Sequence, residues 1–259
     1  MPTRTAVGWL MIMGVVISGC GFNGTTGAGQ AGQRRAAATT APRTTKAGTA
    51  SPAEVSARFR PTAPRARAPI RQLIIITAAS HGATYAKLSA YQRARGRWRR
   101  VFGPWTARIG KAGLAPPGGK REGDLRTPSG TYGLAFMFGT PPDPGVAFRY
   151  RQSHPYDAWD DDPASPLYNE WVDERYQDPG ENPEPMDVSG YHYGVVIAYN
   201  TARTPGLGSA IFLHVNIGTA TTGCVTLPMG ELLDVLRWLR PAQHPKIKLG
   251  VRVRPPVGH

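Results

Sequence analysis

Cys224 follows His214 by ten residues in the stretch Ser209-Ala210-Ile211-Phe212-Leu213-His214-Val215-Asn216-Ile217-Gly218-Thr219-Ala220-Thr221-Thr222-Gly223-Cys224-Val225-Thr226-Leu227-Pro228. A thiolate is a strong nucleophile, but a free cysteine has a pKa of about 8.5 and is only a few per cent ionised at neutral pH. A neighbouring imidazole supplies the missing base. Residues 209–217 alternate like a half-buried strand, with Ile211, Leu213 and Val215 on one face and Phe212, His214 and Asn216 on the other. An antiparallel hairpin centred on Thr219 would set positions 214 and 224 directly opposite, with Cβ atoms roughly 5 Å apart. Gly223 permits close backbone approach, and the Gly223 and Cys224 amides are candidate donors to the oxyanion of a tetrahedral intermediate. Acyl transfer is the chemistry this set predicts. Spacing alone leaves a second reading open, in which Cys224 is an inert buried thiol and His214 a hydrogen-bonded strand residue.

The run from Gly208 to Val225, with its strand, histidine, glycine-containing loop and Thr-Gly-Cys, resembles the catalytic core of the YkuD-like L,D-transpeptidases. The segment Lys120-Arg121-Glu122-Gly123-Asp124-Leu125-Arg126-Thr127-Pro128-Ser129-Gly130-Thr131-Tyr132 resembles that family's D-x-x-T-P-x-G-x-Y/F stretch. The likeness covers about residues 70–252. It implies a mainly β domain, a YkuD-like mixed sandwich or barrel with one short helix after the catalytic strand. It also implies Cys224 as nucleophile and His214 as general base and acid. The acyl group of a peptidoglycan stem peptide would pass to an amine of a neighbouring stem, a 3-3 type cross-link, or to water in a carboxypeptidase. The commoner family pattern reads Ser/Thr-His-Gly-Cys with an arginine two residues after the cysteine. Thr222 and Thr226 occupy those two differing positions here.

The N-terminus fits export. An apolar run from Ala6 to Ile17 ends in Ile17-Ser18-Gly19-Cys20, which resembles a bacterial lipoprotein signal with its lipobox. Residues 1–19 are then a signal peptide, and Cys20 the lipidated residue on the outer face of the cytoplasmic membrane. The apolar run is shorter than the ~20 residues that span a bilayer. The chain has two cysteines, so lipidation of Cys20 leaves Cys224 without a disulfide partner. An ordinary cleaved secretory peptide and a Cys20–Cys224 disulfide are the competing readings.

Residues 20–69 are rich in Gly, Ala, Thr and Pro with few large apolar side chains, too little to bury a core. They read as a disordered tether, roughly 40 Å in root-mean-square span and about 165 Å when stretched. Arg34, Arg35, Arg43, Lys46, Arg58, Arg60, Arg65 and Arg67 face only Glu54 there, so half of the net charge of +14 lies in this segment. Anionic lipids or wall polymers are the partners this charge predicts. The basic stretch Tyr91–Arg100 interleaves arginines with aromatics, but an exported chain meets little nucleic acid. A hairpin with Tyr91 and Trp98 turned inward around a basic turn accounts for it.

Residues 70–259 read as one β-rich domain, large enough for a single core. Strands are predicted at 73–77, 85–91, 98–102, 106–109, 131–138, 193–199, 209–216, 224–227 and 247–253. A helix is predicted over 228–240, packed behind the cysteine strand through Leu232, Leu233, Val235, Leu236 and Leu239. Residues 141–186 form a long irregular insertion, read as a lid, with Trp159, Tyr168, Trp171 and Tyr176 as apolar surface and Asp157, Asp160, Asp161 and Asp162 as acids. The aromatics either cover a stem peptide or anchor the loop.

Other candidates complete the site. Thr221 and Thr222 offer hydroxyls to substrate or to the turn itself. His192 stands at a predicted strand start, to line an acyl pocket or to act as an edge residue. No cofactor is required. Zinc on His192, His214 and Cys224 lacks the usual short ligand spacings and a fourth ligand, and would consume the nucleophile. A papain-like endopeptidase places its cysteine before its histidine, the reverse of the order here. A catalytically silent wall-binding lipoprotein is the remaining class.

Overall fold

Residues 68–177 and 183–257 are described by the structure, a computed structural model. The signal peptide, Cys20 and nearly all of the 20–69 tether lie outside the described residues. Isoleucines dominate β1 (Gln72–Ala78), and Ile74 and Ile76 are wholly buried, as an apolar run flanked by strands on both sides requires. β1 pairs in parallel with β13 (Lys246–Val251) and antiparallel with β2 (Tyr85–Ala94). A two-residue turn joins β2 to β3 (Arg97–Arg108), and Arg95 and Gly96 both adopt positive φ, 50° and 80°. That is the left-handed pair whose twist suits a tight hairpin. Tyr91 is buried and Trp98 half-buried, so the basic hairpin forms with its aromatics turned inward. The two predicted pieces 98–102 and 106–109 are one strand, β3, whose register against β2 shifts near Ala90.

From β3 the sheet continues through β12 (Val225–Leu227), β11 (Phe212–Val215), β10 (Gly194–Ile197), β5 (Leu134–Gly139) and β6 (Tyr150–Gln152). β4 (Gly130–Tyr132) closes the opposite edge beside β13, making ten strands. The 141–186 segment is more regular than its Pro- and Asp-rich sequence predicts. β6 joins the main sheet, while β7 (Asp157–Trp159), β8 (Trp171–Asp173) and β9 (Glu184–Pro185) form a separate three-stranded sheet in the order β8-β7-β9. Strands of two or three residues are too short to show alternation, so the sequence reads as irregular there.

The one α-helix among the described residues, α1 (Met229–Trp238), follows β12, with Pro228 as its N-cap rather than inside its first turn. Leu232, Val235 and Leu236 are buried against Leu213, Val215, Val225 and Leu227 on one face of the sheet. Each such side chain contributes about 1.5–3 kcal/mol on burial. The opposite face of the same strands carries a second cluster in which Phe212 and Cys224 pack with Phe138, Trp159, Met186, Tyr191 and Val196. Phe212 is met edge-on by three aromatic rings, those of Phe138, Trp159 and Tyr191, a preferred arrangement for such pairs.

Candidate active site

The alternation in β11 holds: Leu213 enters the helix-side core, and Phe212 and His214 point to the other face. The expected hairpin does not form. β11 and β12 run parallel, with Leu213 beside Val225, His214 beside Thr226 and Val215 beside Leu227. The intervening loop doubles back instead of reversing the strand. Asn216 Oδ1 accepts from the Gly218 amide, and Thr221 pairs with Gly110 across an isolated bridge. His214 therefore faces Thr226 directly. Cys224, two residues before Thr226, shares its face and lies diagonal to His214.

Both groups line one cavity of about 240 Å³, bounded by Glu184, Gly190, Tyr191, the 219–222 loop and Thr226. The Cys224 Sγ–H donates to the Ala210 carbonyl at 3.1 Å, and Sγ accepts from the Phe212 amide at 3.3 Å. The thiol's hydrogen bonds are to backbone, not to the imidazole. Burial pushes the thiol well above its usual pKa, and Glu184 adds to the effect. His214 Nδ1 lies 3.0 Å from both the Gly190 and the Val215 carbonyl oxygens. Two carbonyls only accept, so Nδ1 carries the proton and Nε2 keeps its lone pair. Burial brings the His214 pKa down to about 4, against the pull of those two hydrogen bonds. The resting pair is a neutral thiol and a neutral base.

Tyr191 was not singled out from sequence, yet it holds the pair in place. Its ring packs edge-on against His214, with centroids 4.9 Å apart, and its O–H donates to Glu184 Oε1 at 2.5 Å. Glu184 was also missed. It stands between Pro183 and Pro185 in a segment with no periodic pattern, and only the fold brings it to the cysteine. Half-buried, its carboxyl rises to about 7, through burial first and then through Asp161 and Glu122, against the Tyr191 hydrogen bond.

Beyond Thr222 opens a second groove of about 440 Å³, lined by Lys120, Glu122, Asp161, Glu184, Ser209 and Gly223 among others. Glu184 and Thr222 border both spaces. Lys120 is held by Asp124 at 2.6 Å. Glu122 accepts from the Tyr168 and Ser209 hydroxyls. Burial and then Glu122 raise the Asp161 carboxyl.

The remaining predicted residues divide. Thr221 Oγ1 donates to the Cys224 carbonyl at 2.7 Å and accepts from the Gly223 amide at 3.2 Å. The Gly223 amide is thus engaged within the loop rather than facing an oxyanion. Gly223 still has a steric reason, since a Cβ there would lie 3.1 Å from the Arg126 carbonyl oxygen and the Ile211 Cδ1. Thr222 is exposed and stands between the two spaces. His192 lines neither. It is the C-cap of a short 3-10 turn, and its Nδ1 lies 2.6 Å from the Ser189 carbonyl, so the acyl-pocket role expected of it has no support in its position. Thr226 Oγ1 is buried without a hydrogen-bond partner.

In the insertion, Trp159 and Tyr168 are buried and act as anchors, whereas Tyr176 is 80% exposed. Asp157 pairs with Arg151, and Asp160 accepts from Ser165, so of these acids Asp161 alone lines the groove. No group of three or more His, Cys, Asp or Glu among the described residues is placed to hold a metal ion.

A mainly β domain thus sets a buried thiol and an imidazole on one sheet face, lining one cavity. The L,D-transpeptidase catalytic domain family, YkuD, matches residues 71–252, and the chain belongs to it. That family is one of cysteine-dependent L,D-transpeptidases, enzymes that act on peptidoglycan stem peptides. Neither the curated proteins nor the solved structures yield a match.

Proposed function

We propose that the chain is a peptidoglycan L,D-transpeptidase that forms an acyl-enzyme on Cys224 and passes the stem-peptide acyl group to an amine of a neighbouring stem. The observation that carries this reading is the shared 240 Å³ cavity, where a protonated thiol faces the same space as an imidazole whose Nδ1 is fixed by two carbonyls. As the donor carbonyl approaches, His214 Nε2 takes the thiol proton and sulfur attacks. The same proton then goes to the departing amine, leaving a thioester. A buried neutral thiol exposes no thiolate until a substrate fills the cavity, so the proton moves in the reacting complex rather than at rest.

Outside the membrane is where this chemistry has its substrate, and the Ile17-Ser18-Gly19-Cys20 sequence supports a lipid anchor at Cys20. Fractionation checks that anchor: Cys20→Ala should release the protein from the membrane. For the reaction, intact-mass measurement after incubation with a synthetic stem tetrapeptide or a carbapenem should show a covalent adduct on the full chain. Cys224→Ala should show none. Absence of an adduct with any acyl donor sinks the reading in favour of a catalytically silent wall-binding protein. Formation of an adduct that only water resolves makes the chain a carboxypeptidase.

A further inference from the structure

In the transfer half-reaction the incoming ammonium must lose two protons to become an amide nitrogen, and the cavity over Cys224 holds a single imidazole to take them. The acceptor meets the thioester as an ammonium, which is not a nucleophile until it loses a proton. An acceptor-side base must therefore border the thioester, remain open to incoming substrate and lie where a cation is drawn in. Glu184 meets all three conditions. It lines the Cys224 cavity and also the neighbouring groove, and in that groove Glu122 and Asp161 add carboxylates while Lys120 is tied to Asp124. The Tyr191 hydroxyl holds one oxygen of its carboxyl, and no side-chain hydrogen bond among the described residues engages the other.

Resting on the acyl-enzyme reading above, we infer that Glu184 is a catalytic residue for the second half-reaction, the general base that deprotonates the acceptor ammonium entering through the acidic groove. The step balances. Glu184 takes one proton from the ammonium, and the free amine attacks the thioester carbonyl, forming the C–N bond. The second amine proton passes to His214. Collapse breaks the C–S bond, and His214 returns that proton to the Cys224 sulfur. Glu184 then releases its proton to solvent. The groups that face Glu184 are Tyr191, Cys224 and His214 on the cavity side and Glu122, Asp161 and Lys120 on the groove side. A carboxyl that titrates at about 7 is matched to taking and releasing a proton near neutral pH.

The test separates the two half-reactions on the full-length protein, with a synthetic stem tetrapeptide as donor and a second stem peptide as amine acceptor. Glu184→Gln should leave the rate of Cys224 acylation within about threefold while amide formation falls about 10²-fold or more, the range of a positioned general base. Acyl-enzyme should accumulate, and the rise of transfer rate with pH near 7 should disappear. Glu184→Asp, which keeps a carboxylate, should recover part of the transfer. Tyr191→Phe keeps the ring against His214 and should preserve transfer better than Glu184→Gln. The inference is overturned if Glu184→Gln slows acylation and transfer equally, or if Tyr191→Phe reproduces it, since Glu184 would then act only by positioning Tyr191 and His214. A wild-type chain that never acylates overturns the reading above and this inference with it.

Discussion

The cavity over Cys224 and the groove beyond Thr222 share Thr222 and Glu184 as walls, yet one is lined by neutral reacting groups and the other by carboxylates. The first holds a thiol and an imidazole that burial keeps neutral. The second gathers carboxylates that repel one another's charge. A base that must take a proton from a buried thiol works best uncharged in a dry space. A surface that must attract an ammonium needs negative charge facing water. Putting the two side by side, rather than superimposed, lets each environment suit its own substrate half.

The first way to break this comparison is at the imidazole. His214→Gln should reduce Cys224 acylation about 10²–10⁴-fold, measured by time-resolved intact mass, with little change in melting temperature. A loss below tenfold would mean that the thiol is activated from elsewhere. In the wild type, acylation should fall as pH drops through about 4, where His214 takes up a proton.

The opposed shifts of His214 and Glu184 make a subtler test through stability. A histidine lowered from 6.5 to about 4 gives stability that is present above 6.5 and lost as pH falls through 4. A carboxyl raised from 4.5 to about 7 works the other way, costing stability as pH rises from 4.5 through 7. Between pH 4.5 and 6.5 the two slopes oppose and largely cancel. Glu184→Gln removes one of them, so its unfolding free energy should climb with pH across that window by on the order of 2–3 kcal/mol relative to wild type. Denaturant titrations at pH 4.5, 5.5 and 6.5 read this directly, and parallel curves for the two proteins would refute it.

The smallest effect concerns Thr226, whose hydroxyl has no partner. Thr226→Val keeps the shape and removes a buried orphan that costs about 1–3 kcal/mol, so melting temperature should rise by about 2–4 °C for each kcal/mol regained. A fall would show that the hydroxyl is satisfied by something held in the cavity.

Much of this site was legible before any fold was known, because its signals are local. Alternation at Ile211, Leu213 and Val215 assigned His214 to the right face, and the leucine spacing after Pro228 placed the helix behind it. The sense of pairing between β11 and β12 was not legible. A loop of about nine residues permits either a hairpin or a return, and the choice is made by Thr221 bonding to the distant Gly110 segment. Glu184 and Tyr191 escaped for a related reason. Each lies in a stretch without periodicity, and their meaning comes from the space they border rather than from their neighbours in sequence. The insertion likewise hid its short strands, and its aromatics proved to be anchors at Trp159 and Tyr168.

Because β11 and β12 are parallel neighbours and Thr221 is pinned to Gly110, the place of the thiol is set by the pairing on either side of the loop and not by the exposed loop itself. Side chains on a strand alternate sides, so a one-residue slip of β12 against β11 would bring Val225 toward the imidazole and turn the sulfur into the aliphatic layer beneath α1. The burial of Val225 and Leu227 in that layer opposes such a slip. The aliphatic contacts that build the core therefore also keep the nucleophile on its own face.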